Sequence, residues 1–121
     1  MLKKLKNELL DTIIEAADEK KGERITAIDL RQVDGSICDW FVICSAQSTV
    51  AVDAISDNIE DLVFERMHQR PSRIHGRENS MWIAMDYSDV MVHIFLDESR
   101  EFYKLEELWG DCPTTIITSE E

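Results

Sequence analysis

Asp86 and Asp89, three residues apart in the stretch MDYSDV, are the carboxylates whose spacing most invites a chemical reading, because two carboxylates at a turn can share one divalent cation. No third carboxylate or glycine-serine pair accompanies them to mark a nucleotidyl-transfer site, and aspartate is itself a common turn residue, so ordinary turn chemistry is the favoured reading. Ser45 stands near the end of an apolar run but lacks the flanking glycines of a nucleophile elbow. The chain has four glycines and contains neither a P-loop nor a G-x-G-x-x-G element, which leaves a phosphate cradle unsupported. Cys38, Cys44 and Cys112 form no C-x-x-C pair, and together with His68, His75 and His93 they match no zinc knuckle or ribbon. No catalytic residue, cofactor or metal ligand set is therefore expected.

What remains is a set of aromatics beside polar residues: Trp40, Trp82, Tyr87, Tyr103 and Trp109. Trp and Tyr join a large contact area to a polar tip and are over-represented in interface hot spots. Trp40 lies inside an apolar run and reads as core. Trp82, Tyr87 and Tyr103 lie in or beside polar turns and helix faces, where an interface role and a core role weigh equally.

The formal net charge is −12 and is unevenly spread: net zero over residues 1–24, −6 over residues 25–96 and −6 over residues 97–121. Such a surface repels phosphate at long range, which disfavours direct nucleic-acid binding as the main activity, and it attracts a basic protein. Acidity that serves only solubility is the plain alternative. No apolar run approaches the eighteen or so residues of a membrane span, and the N-terminus shows no cleavage-site pattern, so a soluble, unprocessed protein is expected. The odd number of unpatterned cysteines suits a reducing cytosol.

The elements that must position these residues follow from periodicity. Residues 2–20 place Leu2, Leu5, Leu9, Ile13 and Ala16 or Ala17 on one stripe of an amphipathic helix, with Gly22 as its stop. Residues 24–33 read as a strand with one covered face, and residues 39–46, DWFVICSA, as a strand buried on both faces. Ser48 can cap a second helix with the stripe Val52, Ile55, Ile59, Leu62, Val63 and Met67. After Pro71 comes a short extended piece at residues 73–76. Residues 81–86 and 89–96 then form a hairpin joined by Tyr87-Ser88, with Val90, Val92, Ile94 and Leu96 on one face and Met91, His93 and Phe95 on the other. Residues 99–109 read as a third helix ending at Gly110, and TTIITSEE reads as a frayed tail. Without repeats or a dividing linker, the chain is one domain over residues 1–113 with a flexible tail at 114–121. The element order implies an α/β (α+β) fold: a mixed sheet of about five strands with helices against it.

Three stretches, DWFVICSAQS (residues 39–48), WIAMDYSDVMVHIFLDESREFY (residues 82–103) and LEELWGD (residues 105–111), resemble the signature segments of the ribosomal silencing factors, or Iojap-like proteins. The resemblance runs from about residue 5 to residue 113. It implies a compact domain with a mixed five-stranded sheet, similar to a nucleotidyltransferase core but without its catalytic carboxylates. It further implies a cytoplasmic translational repressor that binds the large ribosomal subunit through ribosomal protein fourteen and sterically prevents subunit joining when nutrients are scarce. On this resemblance the ribosome-facing patch draws on Trp82, Asp86, Tyr87, Asp89, His93, Arg100, Tyr103, Leu108, Trp109, Gly110 and Asp111, some of them core. Ser88 and Ala46 stand where the family commonly has glycine, which makes the turn and the entry to the second helix points of departure. No cofactor, no membrane and no specific nucleic acid are implied, and the free chain is a possible homodimer. Two other classes remain open: a metal-dependent nucleotidyltransferase-like enzyme using Asp86 and Asp89, and a simple homodimerisation module.

Overall fold

The computed structural model describes residues 4–117 of the chain. The first helix, α1 (Glu8–Glu19), begins later than its apolar stripe suggests because Asn7 caps it, its side-chain oxygen accepting from Leu10 N–H at 3.0 Å. Leu2 lies outside the described residues. The helix closes with Lys20 as its cap; Lys21 is left-handed, and Gly22 N–H returns to the Ala17 carbonyl at 2.9 Å. A Cβ on Gly22 would lie 3.1 Å from that carbonyl oxygen, so the close return favours glycine.

β1 (Glu23–Asp29) and β2 (Trp40–Ala46) pair antiparallel, and every residue of β2 is buried, as its unbroken apolar run predicts. Ser48 caps α2 (Thr49–Met67), its Oγ accepting from Ala51 N–H at 3.1 Å. β3 (Arg73–His75), β4 (Trp82–Asp86) and β5 (Val90–Leu96) follow, with β4 and β5 as the expected hairpin and β5 parallel to β2. The third helical region breaks in two. α3 (Asp97–Tyr103) ends where Lys104 turns left-handed, and a separate 3-10 helix (Leu105–Trp109) follows. The break redirects the chain so that Leu105 and Trp109 reach the sheet.

The mixed sheet has six strands, in the order β3-β4-β5-β2-β1-β6. The extra strand, β6 (Thr114–Ile116), comes from the segment whose sequence reads as a frayed tail. Two β-branched threonines and Ile116 suit an extended chain, and Ile117 N–H bonds to the Ile25 carbonyl at 2.8 Å, so the outer edge of β1 supplies the order that local sequence does not. Residues 118–121 of that tail lie outside the described residues.

The two faces of the sheet differ. On one, α1 and α2 cover Val42, Cys44, Ile83, Met85, Val90, Val92 and Ile94 to form the main core. Each such fully buried aliphatic side chain contributes about 1.5–3 kcal/mol. The other face carries a smaller core around Ile28, Phe41, Ile43 and Phe95, covered by Leu30, Val33 and Cys38 of the β1–β2 connection and by the C-terminal segment through Leu105, Trp109 and Cys112. No helix among the described residues is long and apolar enough to cross a membrane.

Candidate docking face

The second face is where four of the sequence-predicted site residues, Trp82, His93, Tyr103 and Trp109, meet. Alternation along β4 and β5 puts Trp82 and His93 there, with Phe95 behind them and Phe41 of β2 alongside. Trp82 Nε1 donates to His93 Nδ1 at 3.1 Å. The Trp82 ring lies 4.7 Å from Phe95 and 4.9 Å from Tyr103, and Phe41 makes edge contacts with His93 at 4.8 Å and Trp109 at 5.6 Å. Such pairs add roughly 0.5–1.5 kcal/mol each beyond area burial. Phe41 and Phe95, absent from the predicted set, are central to this cluster. Phe95's period-two relation to His93 is the signal that could have found it, whereas Phe41, in a strand that is apolar throughout, joins the cluster only through the pairing of β2 with β5.

Above the cluster the surface is apolar and open: Phe102 is 78% exposed, Leu108 73% and Tyr103 53%. Gly110 and Asp111 are exposed at the end of the 3-10 helix, and Trp82 and Trp109 are half-buried. Phe102, its ring 5.0 Å from that of Tyr103, belongs with this surface. Glu106 and Glu107 on the same 3-10 helix give the surface an acidic border.

Arg100 is not a surface contact. It is 3% exposed, its Nε and Nη2 donate to Glu106 Oε2 at 3.0 and 2.7 Å, and Nη1 donates to Ser45 Oγ at 3.2 Å and the Glu23 carbonyl at 3.3 Å. A buried guanidinium demands partners on every side, and these tie α3, the 3-10 helix, β1 and β2 together. Arg100 therefore holds the exposed segment in place from beneath. Beside it lies a cavity of about 190 Å³ lined by Arg24, Arg100, Glu101, Lys104, Glu106 and Glu107, a mixture of signs without a convergent ligand set.

His93 is also buried, at 6% exposure, and belongs to the scaffold of the face. Burial pushes its pKa down to about 4, so the ring is neutral.

Tyr87 is the clearest correction. Its position in the hairpin link suggests a surface side chain, yet it is 2% exposed and belongs to the core beneath the helices, on the opposite side of the sheet from Trp82. The link spans residues 87–89: Tyr87 N–H bonds to the Val90 carbonyl at 2.9 Å, continuing the strand alternation so that Tyr87 points away from the face that Asp86 occupies. Burial raises its hydroxyl pKa, and the hydroxyl has no hydrogen-bond partner among the described residues.

Ser88 then adopts φ +73°, the conformation for which glycine is suited, and Asp86 Oδ1 supports it by accepting Ser88 N–H at 2.8 Å. Asp86 is half-buried and Asp89 exposed. Among the described residues, no group of three or more His, Cys, Asp or Glu side chains is placed to hold a metal ion. Burial pushes the thiols of Cys38 and Cys44 up to about 11 and about 12, far from the thiolate form that a nucleophile requires.

Comparison with known proteins agrees with this architecture. Residues 3–121 match the family model described as "Ribosomal silencing factor during starvation". The chain is 36% identical over 110 residues to the ribosomal silencing factor RsfS of Halalkalibacterium halodurans, covering 91% of this chain and 92% of that protein. It is 37% identical over 98 residues to RsfS of Bacillus subtilis, covering 81% of each. A crystal structure of a Chromobacterium violaceum protein superposes with a TM-score of 0.80 at 27% identity, covering 85% of this chain and 84% of that one. With the whole described fold inside the matched span, the chain belongs to the ribosomal silencing factor family.

Proposed function

We propose that the chain docks on the large ribosomal subunit through ribosomal protein fourteen and, by occupying that place, keeps the small subunit from joining. The observation that carries this reading is the open apolar surface of Phe102, Tyr103 and Leu108, seated on the Trp82–His93–Phe41–Trp109 cluster. Exposed aromatic side chains on a packed base make effective anchors, because Phe and Tyr offer a large contact area with only two side-chain torsions to fix on binding. The acidic border of Glu106, Glu107 and Asp111 complements a basic ribosomal protein, speeding and orienting encounter while the apolar anchors set residence time.

Docking of this kind needs no catalysis, cofactor or metal, and it places the chain in the cytoplasm with its ribosomes. Of the eleven residues carried over by resemblance, Tyr103, Leu108, Gly110 and Asp111, with Trp82, Trp109, Asp86 and Asp89, remain available at the surface, His93 and Arg100 act from beneath it, and Tyr87 lies in the core on the other side of the sheet. The same open surface would support self-association of the free chain. Sedimentation of the purified chain with large subunits, followed by light scattering on addition of small subunits, tests the reading. Co-sedimentation with reduced subunit joining is expected; binding to small subunits alone, or undiminished joining, would refute it.

A further inference from the structure

The chain's charge is arranged more sharply than its total suggests. Residues 66–77 contain four arginines and two histidines and no aspartate or glutamate, although the chain as a whole carries −12. The segment runs from the last turn of α2 through the loop after His68 to the edge strand β3. At its ends two arginines are bound inward: Arg66 to Glu15 at 2.8 Å, and Arg77 to Glu60 at 3.0 Å and Asp57 at 3.3 Å. Between them the arginines face out. Arg70 is 63% exposed, lies over the Phe64 ring at 4.0 Å and meets Glu60 only at 4.0 Å. Arg73 and His75 are exposed on β3, which among the described residues pairs with β4 alone. The carboxylate opposite Arg73 in the register is Asp86, whose Oδ1 is already engaged by Ser88 N–H.

The strip is fixed against the docking face. His75 aligns with Ala84, and Ala84 with His93, so Arg73 and His75 continue the same side of the sheet outward from Trp82 and His93. Gly76, at φ +96°, brings the chain so close to β4 that a Cβ there would lie 1.9 Å from the Trp82 carbonyl oxygen. Arg73 and His75 are thus held on the sheet, and Arg70 stands in the segment that leads into it, its guanidinium over the Phe64 ring.

We propose that this strip, through Arg70, Arg73 and His75, lies against the phosphate backbone of ribosomal RNA when the chain is docked on the large subunit. The inference rests on the docking reading above and adds a second contact, of opposite charge and different chemistry. The overall negative charge does not forbid it, because at physiological salt screening acts over about 8 Å and the local sign governs a short-range contact. An exposed arginine reads phosphate geometry without base specificity, so the contact positions the chain without selecting a sequence. A cationic edge strand would be poorly placed against the basic ribosomal protein to which the acidic border is suited; the division of charge assigns the two surfaces to two kinds of ribosomal component.

The test compares intact large subunits with isolated ribosomal protein fourteen as partners for the unmodified chain, for the triple variant Arg70→Gln, Arg73→Gln, His75→Gln, and for the charge-keeping pair Arg70→Lys, Arg73→Lys. The three altered residues are exposed, so thermal melting should show the triple variant folded. On intact subunits the triple variant is expected to lose affinity at least about fivefold at 0.1 M salt, and its plot of log affinity against log salt should flatten by about 0.7–0.9 for each phosphate contact removed. On isolated ribosomal protein fourteen it should bind as the unmodified chain does, and the lysine pair should retain most of the affinity for subunits. A loss smaller than fivefold on intact subunits, or an equal loss on the isolated protein, overturns the assignment. If the unmodified chain binds intact subunits but not the isolated protein, the choice of protein partner fails, and the triple variant's loss on intact subunits still decides the strip. If it binds neither, both readings fall.

Discussion

The indole Nε1 of Trp82 donates to Nδ1 of His93 at 3.1 Å, and this single bond fixes the state of the histidine. An accepting Nδ1 leaves the proton of the neutral ring on Nε2, which has no hydrogen-bond partner among the described residues and lies in a ring in edge contact with Phe41. A second proton would convert Nδ1 into a donor facing a donor. Burial has already pushed the pKa down to about 4, so both effects favour the neutral form.

Because the folded pKa of His93 lies below its unfolded value of about 6.5, the unfolded chain binds more protons between those two values, and stability must fall as pH drops from about 6.5 to about 4. The loss should be on the order of 3 kcal/mol. Urea unfolding at successive pH values will show it, and His93→Phe should flatten the slope in that window. Glu15 and Asp29, whose pKa values are lowered by hydrogen bonds from Arg66 and Arg31, lose their stabilisation lower in the acid range and will persist in the variant. An unchanged slope in His93→Phe would exclude the histidine as its source.

Tyr87 should behave as a core residue with a dispensable hydroxyl. Tyr87→Phe removes a buried oxygen without a hydrogen-bond partner and is expected to be neutral or stabilising by up to about 1 kcal/mol, whereas Tyr87→Ala should cost about 3–5 kcal/mol by leaving a cavity. Trp40→Ala, at a residue 7% exposed, should cost a similar amount. A strongly destabilised Tyr87→Phe would mean that the hydroxyl does have a partner.

Arg100→Leu should cost about 3 kcal/mol, since it strips Glu106 and Ser45 of their buried partner. Its more specific effect is local: α3 and the 3-10 helix should loosen, exposing Trp109 and Trp82. Near-ultraviolet circular dichroism and tryptophan emission would report that change below the global unfolding midpoint, and subunit binding should weaken in parallel. Normal tryptophan spectra with normal binding would show that the segment is held by its apolar contacts alone.

Leu108→Ala and Tyr103→Ala should each weaken large-subunit binding by about 1–3 kcal/mol while changing stability by less than about 1 kcal/mol, because both side chains are more than half exposed in the free chain. Binding and denaturation measured on the same preparations separate the two quantities. Equal losses in both would assign these residues to folding rather than docking.

Much of the architecture is local and therefore legible in the residues. Ser48 caps α2 because its hydroxyl needs only the amide three residues on, and the run from Trp40 to Ala46 declares a central strand because a doubly buried strand must be apolar throughout. The β4–β5 alternation likewise places Met91, His93 and Phe95 together before any coordinate is known. The resemblance to ribosomal silencing factors is likewise read from short segments, DWFVICSAQS, the hairpin stretch and LEELWGD.

What the residues alone did not determine depends on contacts between distant parts of the chain. Thr114–Ile116 becomes a strand only because β1 offers a free edge to it. Arg100 looks like an exposed helical arginine until Ser45, the Glu23 carbonyl and Glu106 converge on its guanidinium from three other segments. Tyr87 sits in a link that could have turned either way, and the backbone bond to Val90 together with the apolar space under α2 drew it inside. Local sequence sets which conformations and faces are cheap, but burial is a property of the assembled packing, and so the division of the aromatic and charged residues between core and surface was decided only by the tertiary structure.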